Sequence, residues 1–456
     1  MDLPQAFKTK YQDLLGNASG PFLQALQEPG QKGFRINPLK AQTTPKDLSV
    51  AEKVPYGKWG YFGQVDGKGV DHVTGLVYSQ EPSAQFVGEV VGAQPGERVL
   101  DLAAAPGGKS THIASQMQGQ GLLVTNEIFF NRAKILSENI ERFGVQNAIV
   151  TSMDARDLAK ALPGYFDKVL LDAPCSGEGM FRKDHDAIQY WSEDYPTECA
   201  VRSHEILESA VKLVRPGGTL IYSTCTFAPE EDEQTIAWLR STYPEFTVEA
   251  IDRPENSGIK DGRPEWADGG ADLAKTARLW PQDLPGEGHF VARLQKAAAV
   301  DEAETVKETK LQKPSKLAPA DLQLVKDFFA ETLPGFALDV QRLKSFGDRI
   351  FLLPKDCPDL AKLKVLRAGL CLGTMKKNRF EPDHALALAI HPDQAAQVYA
   401  LDSDQEYRTY VHGDVLNTQA DLQKGFVLVT ANGNGLGWAK FVNGQLKNFF
   451  PKGLRF

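Results

Sequence analysis

Five short apolar runs, each closed by a turn and most followed by a helix-length amphipathic stretch, recur between residues 98 and 239. The first is R-V-L-D-L-A-A-A-P-G-G-K-S at 98–110. An apolar strand ends there at Asp101, small residues with a proline and two glycines follow, and a helix opens at Lys109. The spacing predicts strands over 98–101, 122–125, 148–151, 168–171 and 219–222. Helices are expected over 110–117, 131–143, 198–214 and 230–239, with one over 80–93 leading in and further strands near 247–251 and 289–294. Alternation of this kind with short connections packs as an α/β fold, a mostly parallel, doubly wound, Rossmann-like sheet. Such a sheet binds ligands beyond the carboxyl ends of its strands, where glycine lets backbone approach and a helix N-terminus faces the ligand.

The flanks read differently. Phe7, Tyr11, Leu14 and Leu15 recur at helical spacing and Gly16-Asn17 stops the run, predicting a small helical pair that either packs on the main domain or touches RNA. A glycine-rich stretch over 55–70 sets Tyr56, Trp59, Tyr61 and Phe62 beside Lys58 and Lys68; these rings either stack bases or make a small core of their own. Residues 296–320 are rich in charge and alanine and poor in large apolar side chains, the composition of a linker. Beyond it a helix over 321–331, a strand over 350–353, a basic segment (Arg367, Lys376, Lys377, Arg379) and a hairpin turning at Asn443-Gly444 indicate a separate α+β domain. In its last part Lys440, Lys447, Lys452 and Arg455 lie among Trp438, Phe441, Phe449 and Phe450. The chain divides into 1–80, 81–295, a linker over 296–320, and 321–456.

With 456 residues there is ample core for two or three domains. No apolar run approaches the ~20 residues of a membrane span, and the N-terminus lacks the form of a signal peptide, so the expected location is the cytoplasm. Five cysteines without a C-x-x-C pair suggest reduced thiols and no metal site. A net charge of -8 excludes a bulk polycation, so any nucleic-acid contact must come from local basic patches.

Successive strand ends carry the small-residue turn, Glu127, Asp154, Asp172 followed by Cys175, and Cys225. An acid after the second strand suits a ribose diol, and Asp154 is placed to accept from an adenine amino group. Without G-x-G-x-x-G a dinucleotide is disfavoured. A phosphate loop is nearly spelled by 103–110, but Ala103 replaces the first required glycine and Pro106 removes an N–H donor from the cradle, which argues against an NTPase. Two cysteines in turns at neighbouring strand ends should open onto one cleft. A thiolate there is the nucleophile that C6 of a pyrimidine needs before C5 can react with an electrophile.

D-L-A-A-A-P-G-G-K-S at 101–110, D-A-P-C-S-G-E-G-M-F at 172–181 and Y-S-T-C-T-F at 222–227, in that order, closely resemble the RNA cytosine-C5 methyltransferases of the Nop/Sun group. Within it the chain looks most like the bacterial RsmF-type ribosomal RNA enzymes, including G-L-V-Y-S-Q-E-P-S at 75–83 and N-F-F-P-K-G-L-R at 448–455. The resemblance implies a class I methyltransferase domain, S-adenosylmethionine as cofactor, a cytosine of 16S ribosomal RNA near the decoding region as target, and a PUA-like RNA-binding barrel at the C-terminus. It implies that Ala103, Ala104, Ala105, Pro106, Gly107, Gly108 and Lys109 wrap the methionine end of the cofactor, Glu127 the ribose and Asp154 the adenine. Asp172 would lie near the methyl-transfer site, protonated to hydrogen-bond N3 of the cytosine, and Arg132 would reach the cofactor or pair on the helix surface. Lys109 would orient the site or brace the Cys175 turn. The nucleophile is implied to be Cys225, with Cys175 aiding product release; DNA cytosine methyltransferases, which use a P-C cysteine, supply the opposite assignment. Partners are 16S ribosomal RNA or the 30S subunit, with no membrane and no metal, and a monomer is expected. The competing reading is a non-catalytic ribosome-assembly factor on the same fold.

Overall fold

The computed structural model describes residues 3–48, 52–183, 185–268, 270–298, 309–313 and 317–456. The chain opens with two helices, α1 (Gln5–Leu15) and α2 (Ser19–Ala25), and a small antiparallel sheet of β1 (Gly33–Ile36), β2 (Gly60–Phe62) and β3 (Val77–Ser79), with the short α3 (Val70–Val73) before its last strand. Apolar residues at helical spacing decide where the helix pair sits: Phe7, Tyr11 and Phe22 are fully buried in a cluster with Phe181, Trp191, Phe227 and Trp280. The pair therefore packs on the central domain.

The aromatic stretch packs inward as well. Tyr56 is buried edge-on to Phe86, Tyr61 stacks on Phe34 at 5.8 Å, and Trp59 stands against His112 at 5.9 Å with the Lys58 ammonium 4.8 Å from its ring. These contacts give the stretch a small core of its own, with Trp59, Tyr61 and Phe62 half-buried at its surface.

The central domain follows the expected alternation. Its elements are α4 (Pro82–Val91), β4 (Arg98–Asp101), α5 (Gly108–Met117), β5 (Leu122–Asn126), α6 (Phe130–Arg142), β6 (Ala148–Thr151), α7 (Ala155–Ala161), β7 (Phe166–Asp172), α8 (His185–Tyr190), α9 (Tyr195–Leu213), β8 (Val214–Thr224) and α10 (Glu233–Thr242). Then come β9 (Phe246–Val248), β10 (Lys260–Asp261), β11 (Ala277–Leu279) and β12 (His289–Lys296). Strands β8-β7-β4-β5-β6 run parallel in that order, with β12 antiparallel beside β8. The order reverses at β4, between β5 and β7, which opens a crevice at the carboxyl ends of these strands. Alternate residues of each strand enter two cores, Leu100, Val124 and Val169 one, Val99, Leu123 and Leu170 the other, as a sheet covered on both faces requires.

Three differences from expectation have local causes. Helix α9 begins at Tyr195, because Pro196 occupies the first turn, where its missing N–H costs nothing. Helix α7 was not expected; it is short, and its N-cap is Asp154. The strand expected over 247–251 pairs over only three residues, Phe246–Val248, with the end of β12.

The C-terminal part holds α11 (Pro319–Thr332), β13 (Leu343–Phe346), β14 (Arg349–Leu352), β15 (Val365–Ala368), β16 (Leu370–Lys376), β17 (Arg379–Pro382), α12 (His384–Ala389), β18 (Val398–Ala400), α13 (Asp404–His412), β19 (Leu416–Asn417), β20 (Gly425–Ala431), β21 (Asn434–Val442) and β22 (Gln445–Asn448). They form two sheets, β13-β14-β16-β17 and β18-β20-β21-β22-β19. The β21–β22 hairpin turns at Asn443-Gly444, both at positive φ, as a tight hairpin demands. Strand β15 leaves this part and pairs antiparallel with β6, extending the central sheet. Of the stretch expected as a linker, part lies outside the described residues; within it Lys296 ends β12, Leu311 bridges to Pro358, and Pro319 opens α11.

Candidate active site

The crevice beyond the parallel strands is a cavity of about 670 Å³ whose walls include Ala103, Ala105, Glu127, Arg132, Asp154, Asp172, Cys175 and Cys225. The remaining expected residues stand behind this wall. Ala104 is buried with its N–H on the Asn126 carbonyl at 2.8 Å, Pro106 offers its carbonyl to Asn139 Nδ2 at 2.9 Å, and Gly107 and Gly108 start α5. Gly107 takes φ +115°, a left-handed N-cap that a side chain would strain. The wall also contains Ile128, Phe129, Met153, Glu205 and Glu208, which sequence reasoning missed. Glu205 and Glu208 share a face of α9 by their i, i+3 spacing, but nothing in the chain says which face turns to the cavity.

Each acid is held by a local device. Glu127 is buried at the end of β5, accepts from Phe129 N at 3.0 Å, and lies 3.6 Å from the Arg132 guanidinium. Arg132 donates to the Ala105 carbonyl at 3.0 Å, so it ties the second strand's turn to the first's. Asp154 caps α7 through Arg156 N at 2.8 Å and pairs with the Arg156 side chain at 3.1 Å, which holds its carboxyl below the ordinary range. Asp172, at the end of β7, accepts from Lys109 Nζ and from Ser223 Oγ, each at 2.7 Å and on different oxygens. Both Asp172 oxygens thus have donors within this chain. Lys109 thereby braces Asp172, which opens the turn that carries Cys175. Burial works against the Lys109 charge, yet Asp172, with Cys225 and Asp101 behind it, raises its pKa above the ordinary value.

The two cysteines meet. Cys175 Sγ and Cys225 Sγ are 3.3 Å apart, and Cys225 N donates to Cys175 Sγ at 3.4 Å. The hydrogen bond to Cys225, reinforced by burial and by Glu231, raises the Cys175 thiol well above its usual range. Either sulfur can donate to the other across this contact. Two thiols this close on the wall of one cavity set a potential nucleophile beside a second sulfur.

Family models cover most of the chain: 16S rRNA methyltransferase RsmB/F matches residues 89–295, and the N-terminal domain of 16S rRNA methyltransferase RsmF matches 3–82. The RsmF rRNA methyltransferase first C-terminal domain matches 327–390, and the methyltransferase RsmF PUA domain 398–456. The chain is 33% identical over 479 residues to the ribosomal RNA small subunit methyltransferase F of Vibrio vulnificus, covering 99% of this chain and 97% of that protein. It is 34% identical to the protein of the same name from Citrobacter koseri, covering 99% and 96%. Among solved structures it resembles a methyltransferase homologue from Pyrococcus horikoshii at TM-score 0.55 and 27% identity, over 64% of this chain and 95% of that one. The same fold recurs in the NSun6 structure from P. horikoshii with SFG, at TM-score 0.52 and 21% identity, over 65% and 99%.

Proposed function

The chain belongs to the RsmB/F family of S-adenosylmethionine-dependent 16S rRNA methyltransferases, and from that premise we propose that it methylates C5 of a cytosine in small-subunit ribosomal RNA, in the decoding region, through a covalent bond between Cys225 and C6. The observation that carries this reading is the pair of sulfurs 3.3 Å apart at one end of a cavity whose other end presents Glu127 and Asp154. The donor set fits S-adenosylmethionine: carboxylates for a ribose diol and an amino group, apolar Ile128 and Met153 for a flat ring, and Asp172 near a sulfonium. Bound there, the cofactor supplies an electrophilic methyl group.

The protein's own residues do the rest. A target cytosine must leave its stack for C5 and C6 to be reached. The Cys225 thiolate, with the Lys109 ammonium near it, adds to C6 and makes C5 electron-rich. Once the Cys225 sulfur is bonded to C6, a base or water takes the C5 proton, and Cys175, 3.3 Å from Cys225, is placed to aid release of the product. Loss of that proton lets Cys225 leave. The division of labour follows the four segments: 1–80 and the PUA-containing 321–456 grip RNA around a catalytic 81–295, with 296–320 connecting, in a monomer acting in the cytoplasm.

The test is a pair of substitutions read on denaturing gels with small-subunit RNA. Cys175→Ser is expected to accumulate a covalent RNA–protein adduct. Cys225→Ala is expected to form none and to lose methyl transfer while still binding S-adenosylmethionine in calorimetry. An adduct in Cys225→Ala and not in Cys175→Ser would exchange the two roles, and full turnover by Cys225→Ala would end the reading.

A further inference from the structure

The turn that carries Cys225 is held from behind by an acid that the chemistry above does not use. Glu178, in P-C-S-G-E-G, is fully buried. One of its oxygens accepts from Trp191 Nε1 at 2.9 Å; the other accepts from Thr226 Oγ1 at 3.1 Å, from Phe227 N at 3.3 Å and from the Tyr11 hydroxyl. Thr226 and Phe227 directly follow Cys225. The Cys225 carbonyl itself accepts from Gly179 N at 2.9 Å, and a Cβ at Gly179 would stand only 2.8 Å from that carbonyl, so glycine is needed for the approach. Arg278 holds the turn through the Phe227 carbonyl at 3.1 Å.

Three of the four donors to Glu178 come from the catalytic domain. The fourth comes from α1. Tyr11 is fully buried among Phe7, Phe22 and Phe227, surroundings in which a phenylalanine would pack as well. Its hydroxyl is worth burying only because an acceptor meets it. Burial and the Glu178 charge both keep that phenol protonated and donating. The neighbouring residue repeats the grip: Lys10 pairs with Glu230, beyond the same turn, at 3.0 Å. The first helix thus fastens the nucleophile's turn at two points.

We propose that Tyr11 and Glu178 are positioning residues for Cys225, so that the N-terminal helix is part of the catalytic apparatus. The inference rests on Cys225 being the nucleophile. Its structural logic is a carboxylate with four donors that fixes the backbone on the C-terminal side of the cysteine, while the Cys175 sulfur holds its N–H. A thiolate attacking C6 must lie within a few tenths of an ångström of its line of approach, and small misplacements cost rate steeply.

The experiment compares full-length wild type with Tyr11→Phe, Glu178→Gln and Glu178→Ala. Turnover on small-subunit RNA, KM for S-adenosylmethionine, thermal melting, and the rate of Cys225 alkylation by iodoacetamide across pH (read by peptide mass spectrometry) are measured on each. Tyr11→Phe is expected to lower kcat about ten-fold, to leave KM for the cofactor within about two-fold, and to displace the alkylation profile. Glu178→Gln, which keeps an acceptor and the shape, is expected to retain more activity than Glu178→Ala. Wild-type kcat and an unchanged alkylation profile in both Tyr11→Phe and Glu178→Gln, with only the melting point lowered, would overturn the proposal and leave ordinary packing. Absence of methyl transfer by the wild type would instead defeat the functional reading, and the alkylation profiles would still decide the positioning.

Discussion

Glu231 lies beyond Cys225 as a buried carboxyl that accepts from Ser176 N at 2.8 Å and from the Ser176 hydroxyl. Burial first, then the nearby Glu178 charge, push its pKa from the ordinary 4.5 to about 8, against the pull of the Ser176 hydrogen bonds. A carboxyl whose folded pKa is raised holds its proton better in the folded state. Its contribution is complete below the ordinary value and is lost as pH climbs toward about 8. Unfolding by urea is therefore expected to show a stability component on the order of 5 kcal/mol that fades between the two values, and Glu231→Gln is expected to flatten the slope. An identical pH slope in the variant would remove Glu231 as its source. The same scale shows where reading by motif reached its limit. Cys175 and Cys225 were both legible as chemical, but that their sulfurs meet at 3.3 Å depends on turns fifty residues apart in the chain.

Among the elements, the glycine turn after β4 is less a free loop than a piece clamped by the N-terminal sheet. Arg35 of β1 is fully buried, donating Nε to Gln80 at 2.6 Å and Nη2 to the Gly108 carbonyl and Thr111 Oγ1, each at 2.7 Å. No carboxylate is among those partners, and burial lowers its pKa from the usual 12.5 to about 10. Arg35→Met keeps the length and removes the donors, leaving the buried Gln80 Oε1 without its partner, at a cost of about 2 kcal/mol. Chemical denaturation is expected to show that loss together with a raised KM for S-adenosylmethionine; unchanged stability would mean that the clamp is dispensable. Asp154 illustrates a different ambiguity. An acid after a strand reads equally as a ligand acceptor or as a helix cap, and in the folded protein it caps α7 while its carboxylate lines the cavity.

At the scale of the whole molecule the C-terminal part completes the catalytic sheet. β15 covers the β6 edge, Arg367 on it is buried against Glu141, and Leu353, Leu360, Leu363 and Ala368 enter the same core as Leu100 and Val169. A fragment ending at residue 298 would expose an unpaired edge strand and that apolar surface. It is expected to melt at lower temperature than the full chain and to associate in analytical ultracentrifugation; a monomeric fragment with the full chain's melting point would show that the edge needs no cover. The strands, their mostly parallel sheet and the chemical residues at their ends could be read from the chain alone, because hydrophobic period and turn chemistry are local and each motif spans ten residues or fewer. The clamp by Arg35, the Tyr11–Glu178 link, the Lys109–Asp172 pair and the strand added by β15 could not, since each joins side chains more than sixty residues apart. Local pattern specifies which groups exist and on which element; only closure of the fold decides which of them meet.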